Sequence, residues 1–182
     1  MSKYQMTIAG VLVLLLVTVS LAQAPAPAPK PGPEHKKLEY WIGTWNIEAT
    51  VKASPFGPAG KTTETDRVES GLGGFFVVFN ADAKSPSRNT KSVGIMGYDT
   101  GARSYTYYGV DNMGENTTGK GSVNGNIWTW QTESKMAGKT VKGRFTATTV
   151  SPASYTFKFE MADEKGAYSV IEEGKGTKAS SR

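Results

Sequence analysis

The chain is predicted to be all-β: an up-and-down antiparallel β-barrel of about ten strands, preceded by a short N-terminal helix. Three observations predict it. Beyond residue 43 helical periodicity is nearly absent. Runs rich in Thr, Val, Tyr, Phe and Trp recur there, separated by turn signals at a spacing of about 8–12 residues. The turns are short, so consecutive strands pair as hairpins, and a sheet built that way closes because closure removes its exposed edges.

Composition narrows the function classes. The chain has 182 residues, a formal charge of +5, no Cys and a single His. That length suits one domain stabilised by its own core. Without Cys there are no disulfides, no thiolate metal site, no Cys nucleophile and no lipid attachment at a processed N-terminal Cys. Lys36-Lys37 is the one adjacent basic pair, and no basic stripe is interleaved with aromatics. Nucleic acid is therefore not an expected partner.

Taken in order, the chain opens with Lys3 and the apolar run Ile8 to Leu21. Residues 1–22 read as a signal peptide cut before Gln23, because the run is short for a membrane-spanning helix. The expected product is exported, periplasmic or extracellular, with no integral membrane span after cleavage. Residues 23–33 are a Pro/Ala-rich tether, extended as polyproline II. Residues 34–178 form the barrel domain, and 179–182 a disordered tail.

Between Glu34 and Val51 the pattern changes period from about 3.6 to 2, a lid helix running into the first strand. Pro33 and Glu34 suit a helix start, where His35 is expected to be solvated. On the strand, Trp45, Ile47, Ala49 and Val51 share a face. A loop dense in Pro and Gly follows (Ser54 to Gly60), then strands near 61–70, 74–82, 89–98, 103–111, 116–123, 126–134, 139–149, 153–162 and 167–176. Asn124-Gly125 predicts a tight type I′ hairpin. Gly94, Gly109, Gly119, Gly121 and Gly143 fall inside strands, where bulges and sharp coiling call for glycine. Alternation then sorts an inward face: Phe145 and Ala147, the set Tyr155, Phe157, Phe159 and Met161, and Tyr168 with Val170.

The stretches EHKKLEYWIGTWN, GLGGFFVVF and GYDTGARSYTYYGVDNMGENTTGKGSV, in that order, resemble the bacterial domain of unknown function 1579 family. That family is grouped with the calycins, the lipocalin-like barrels, and the resemblance spans residues 33–177. It implies a barrel with an interior cavity and a short helix near the mouth, without a named activity. In lipocalins a basic residue of the last strand, commonly Arg, packs over the Gly-x-Trp tryptophan, here Trp45. The last strand of this chain has no Arg, so either Lys175 or Lys178 takes that place or the site is simply apolar.

A haem site on the pattern of the nitrobindins, barrels of this general architecture, needs a His facing the cavity, and His35 sits on the helix instead. No cofactor and no metal are therefore expected. No catalytic residue is assigned either, since a triad lacks its His and no Gly-x-Ser-x-Gly is present. Paired acids remain for proton transfer, Asp111 with Glu115 and Glu172 with Glu173. Neighbours on a strand point to opposite faces, and parity with Tyr168 and Val170 turns Glu172 inward. It serves there as a polar anchor or, the commoner fate, sits at the rim in water. Tyr105 and Tyr107 share a face, as do Trp128 and Trp130; they line a pocket or fill a core.

The candidate ligand-binding lining is thus Trp45, Ile47, Tyr105, Tyr107, Trp128, Trp130, Phe145, Phe157, Phe159, Tyr168 and Glu172. The expected function is binding or carriage of a small hydrophobic or amphipathic molecule. One alternative is an envelope interaction module with a packed interior. A weaker one is a small-molecule enzyme, which requires an inward acid close to a Tyr. The oligomeric state is not legible.

Overall fold

The computed structural model describes residues 28–180 except Ala137. The expected signal peptide and the front of the tether lie outside the described residues, as do Ser181 and Arg182. Among the described residues no helix is long and apolar enough to cross a membrane.

The helical segment is α1 (Pro33–Lys37) continued by a 3₁₀ turn (Leu38–Trp41). Ten strands follow: β1 (Gly43–Val51), β2 (Gly60–Gly71), β3 (Phe76–Lys84), β4 (Asn89–Asp99), β5 (Ser104–Asp111), β6 (Asn116–Asn124), β7 (Ile127–Met136), β8 (Lys139–Ser151), β9 (Ser154–Ala162) and β10 (Tyr168–Lys178). Each pairs antiparallel with its sequence neighbour, and β10 pairs with β1, so the sheet is a closed barrel. Closure leaves no row of unpaired backbone groups between first and last strand. The up-and-down barrel expected from the hairpin pattern is the observed fold.

One end of the barrel is plugged. Trp41 packs edge-on against Trp128 and Tyr155, with ring centroids 5.5 and 5.1 Å apart. Leu38, Trp41, Trp45, Val68, Val77, Tyr105 and Trp128 make a dry core at this end. The helical segment closes this end, whereas the expectation placed it near the mouth. The loops after β1, β3 and β5 ring the opposite, open end. His35 is buried as well, 6% exposed, with Phe75 5.0 Å and Tyr98 5.8 Å away, and its Nδ1 accepts the Gly32 N–H at 3.1 Å. The solvated position expected for it does not hold, because the helix start is pressed onto the barrel end. Tyr105 ties the plug down by donating its hydroxyl to Glu34 Oε2 at 2.6 Å.

The basic partner of Trp45 is Lys178. Its Nζ lies 4.8 Å from the Trp45 ring centroid and donates to the Tyr40 carbonyl at 3.1 Å. Gly43 makes room for it: its φ is +128°, and a Cβ there would approach Lys178 Cε to 3.3 Å.

Two local expectations need correction. The β6–β7 loop is Gly125-Asn126 rather than Asn124-Gly125, since Asn124 pairs with Ile127. Of these two loop residues only Gly125 has positive φ, at +59°, which is the type II′ pattern rather than I′. Asn126 is held instead by β8, donating Nδ2 to the Thr149 carbonyl at 2.9 Å. The strand glycines do not mark the bulges, which fall between Val170 and Glu172 and between Thr149 and Ser151. They make space for rings: a Cβ on Gly94 would lie 2.8 Å from Tyr107, and one on Gly121 2.6 Å from Trp130.

Candidate functional site

Above the plug the barrel is hollow, enclosing a cavity of about 540 Å³ that opens at the loop end. The cause is visible in side-chain size. The inward positions of β3 and β4 beyond the core are Ala81, Ala83, Gly94, Ser92 and Thr90, too small to fill the interior. Trp41, Trp45, Tyr155 and Met96 reach it from the plugged end. Phe145, Phe159, Met161, Val141 and Met136 form one apolar wall. At the mouth the Arg88 guanidinium meets the Glu115 carboxylate at 3.3 Å, joining the β3–β4 and β5–β6 loops.

The opposite wall carries acids that the sequence reading did not single out. On β2, Thr62, Glu64 and Asp66 face inward with Val68, paired to Ala49, Ile47 and Trp45 of β1. Glu172 of β10 faces the same space. Burial pushes the Glu64 carboxyl up to about 9, with the neighbouring Asp66 charge adding to the effect. Burial also raises Asp66. Glu172 is pushed up to about 7, by burial first and by the charge of Glu64 second. The tyrosine hydroxyls respond in kind: burial, then the charges of Asp66 and Glu64, push Tyr107 up to about 12 and raise Tyr155 as well. A removed proton would put negative charge into a buried space already crowded with acids.

Four buried polar atoms find no hydrogen-bond partner among the described residues: Trp41 Nε1, Thr62 Oγ1, Asp66 Oδ1 and Thr132 Oγ1. All four residues line the cavity. An unpaired buried polar atom typically costs about 1–3 kcal/mol, and these four are spread round the cavity: Thr62 and Asp66 on β2, Thr132 on β7 and Trp41 in the plug. Among the described residues no group of three or more His, Cys, Asp or Glu is arranged to hold a metal ion.

Of the residues expected to line the site, Trp45, Tyr107, Trp130, Phe145, Phe159 and Glu172 border the cavity. Tyr105 and Trp128 face inward but are spent in the plug, 2% and 4% exposed. Ile47 is buried opposite Glu64, and Phe157 stacks under Phe145 at 5.4 Å, both behind the cavity surface. Tyr168 is on the outer face: the Arg144 guanidinium lies 4.6 Å over its ring, and its hydroxyl meets Gln131 Oε1 at 3.3 Å. The bulge at Ile171 explains this. Tyr168 and Val170 oppose the outward Ala162 and Glu160, and beyond the extra residue Glu172 opposes the inward Phe159. Glu172 therefore points inward for a different reason than simple alternation, and stands in the cavity wall rather than in rim water. Asp111 is occupied by its turn, its Oδ1 accepting the Met113 and Glu115 N–H groups at 2.9 and 3.0 Å.

Fold and site together define a closed ten-stranded antiparallel barrel with an amphipathic interior open at one end. The chain belongs to the family described as Protein of unknown function (DUF1579), whose family model matches residues 30–176. Solved structures share the fold at low identity. The crystal structure of Rv2717c from M. tuberculosis is 11% identical, with a TM-score of 0.58, over 82% of this chain and 99% of that one. The S-type phycobiliprotein lyase CPES from Guillardia theta is 6% identical, with a TM-score of 0.53, over 82% of this chain and 94% of that one. No curated protein matches the chain.

Proposed function

We propose that the protein binds a small amphipathic molecule inside the barrel. One observation carries this reading: the cavity of about 540 Å³ sets an apolar wall against an acidic one, and four buried polar atoms around it lack partners among the described residues. A preformed, mostly apolar pocket of this size with a few convergent polar groups is the common form of a small-molecule site. Binding buries the ligand's apolar part against Phe145, Phe159 and Met161. Its polar part meets Thr62, Asp66 and Glu64, and no covalent step is required. Export, expected from residues 1–22, places such a carrier in the periplasm or outside the cell; the N-terminal sequence of protein recovered from the host envelope tests that separately.

Native mass spectrometry of protein purified from its host tests the binding. A stoichiometric small-molecule adduct, lost on denaturation and absent from Phe159→Arg, is expected. An apo mass for both proteins, without a thermal shift across lipids and metabolites, overturns the reading.

A second reading has its own observation. The outer face of β4 and β5 exposes Val93, Ile95, Tyr108 and Val110 between 41% and 52%. They form the cross-strand pairs Val93–Val110 and Ile95–Tyr108. An apolar patch of this kind favours contact with another macromolecule. If it is an interface, Ile95→Lys changes the sedimentation of envelope extracts without touching cavity binding.

A further inference from the structure

We infer that the cavity selects a cationic amphiphile, an alkyl or arylalkyl amine whose ammonium head sits among Glu64, Asp66 and Glu172. This rests on the binding reading above and names the chemistry of the ligand it holds.

Three observations converge on the sign of the head group. The acids bordering the cavity are Glu64, Asp66, Asp111, Glu115 and Glu172, and the one basic residue is Arg88. Arg88 is at the mouth and already paired with Glu115. A carboxylate or phosphate entering the barrel would meet three inward acids and, among the described lining residues, no unpaired cation to offset the burial of its charge.

The unpartnered atoms point the same way. Thr62, 7% exposed, presents Oγ1 to the cavity with no partner among the described residues. Asp66 Oδ1, an acceptor, and Thr132 Oγ1, a hydroxyl like that of Thr62 that can accept, are also without partners among the described residues, as is the donor Trp41 Nε1. A ligand that donates satisfies the Asp66 oxygen and can satisfy both hydroxyls, and an ammonium group donates without accepting. The lone Trp41 N–H suits a hydroxyl or carbonyl carried beside the amine.

The surroundings suit a cation as well. Tyr107, Tyr155 and Trp130 border the same space, and ring faces attract a desolvated ammonium. The apolar body then points toward Phe145, Phe159 and Met161 across the barrel. Burial favours the protonated form of Glu64, and less strongly of Glu172, in the absence of a cation.

The test uses three probes of equal chain length, octylamine, octan-1-ol and octanoate, titrated calorimetrically into the purified protein. Octylamine is expected to bind at least about tenfold more tightly than either of the others. Glu64→Gln and Asp66→Asn, both isosteric, are each expected to cut that preference to less than about threefold. Glu48→Gln, on the exposed outer face of β1, leaves it unchanged. If octanol or octanoate binds as well as the amine, the cationic assignment falls and cavity binding stands. If none of the three binds, cavity binding falls and takes this assignment with it. If the preference survives both variants, the acids do not set it and the inference is overturned.

Discussion

At the scale of single residues, Trp45 and Glu172 show how differently one inner face is used. Trp45 is 1% exposed, donates Nε1 to the Trp41 carbonyl at 2.7 Å and carries Lys178 over its ring. Trp45→Ala leaves a cavity where three aromatic contacts met, and is expected to cost about 3–5 kcal/mol in chemical denaturation. Lys178→Met, which keeps the stem and loses the charge, is expected to cost about 1 kcal/mol. Burial lowers the affinity of Lys178 for its proton, so the cation held there is a strained one. Glu172 gives the opposite sign. Its carboxyl is raised to about 7 from an ordinary 4.5, so folding favours its protonated form. That preference stabilises the fold fully below 4.5 and is lost as the pH climbs through 7. Glu172→Gln is therefore expected to be neutral at pH near 4.5 and stabilising by on the order of 1–3 kcal/mol at pH above 7. Thermal melts across that range check it.

At the scale of elements, β2 and β10 decide the site. In β2 the alternation Thr62, Glu64, Asp66, Val68 offers one apolar residue out of four, so hydrophobic patterning gives almost no signal for which face is inside. Its pairing with β1 supplies what the pattern lacks: Trp45 faces inward and so does its partner Asp66. Val68, at 3% exposed, was the one clue the sequence held. In β10 the failure is of another kind. A bulge adds one residue, and one residue of slip moves every later side chain to the other face. Tyr168 consequently braces Arg144, whose guanidinium also grips Glu160 through two bonds of 2.8 Å. Arg144, by that bonding, holds Glu160 down to about 2. Tyr168→Ala is expected to leave ligand affinity unchanged and cost about 0.5–1 kcal/mol of stability through the lost ring under Arg144, while Phe159→Arg abolishes binding. Calorimetry on the pair distinguishes an outer residue from a lining one.

At the scale of the whole molecule, the barrel is solid at one end and hollow toward the other, and its pH response follows from that division. The inward acids Glu64 and Glu172 are raised to about 9 and about 7, so their contribution to stability fades as pH rises from 4.5 through those values. Glu160, lowered to about 2, contributes above 4.5 and is lost as pH falls toward 2. The ligand-free protein is thus expected to melt at its highest temperature on the mildly acidic side and to lose stability from there toward pH 9. Glu64→Gln flattens the alkaline limb. A melting curve that instead rises between pH 5 and pH 9 contradicts the buried placement of these carboxyls.

The sequence by itself determined the number of strands, their order and their hairpin pairing. Those follow from local facts: period-2 alternation, turn residues at regular intervals, and the absence of any helical run long enough to compete. It also determined the inward faces of β1, β8 and β9, where large apolar side chains alternate cleanly with polar ones. Tertiary structure alone decided that the end carrying the helical segment is the solid one, because only its packing onto Trp128 and Tyr155 shows that it fills the barrel there and leaves the mouth at the other end. It alone turned the acids of β2 inward and Tyr168 outward. Burying a carboxylate runs against transfer energetics, so no hydrophobicity pattern announces it; it is imposed by closure of the barrel, which gives every strand one face inside whatever that face carries.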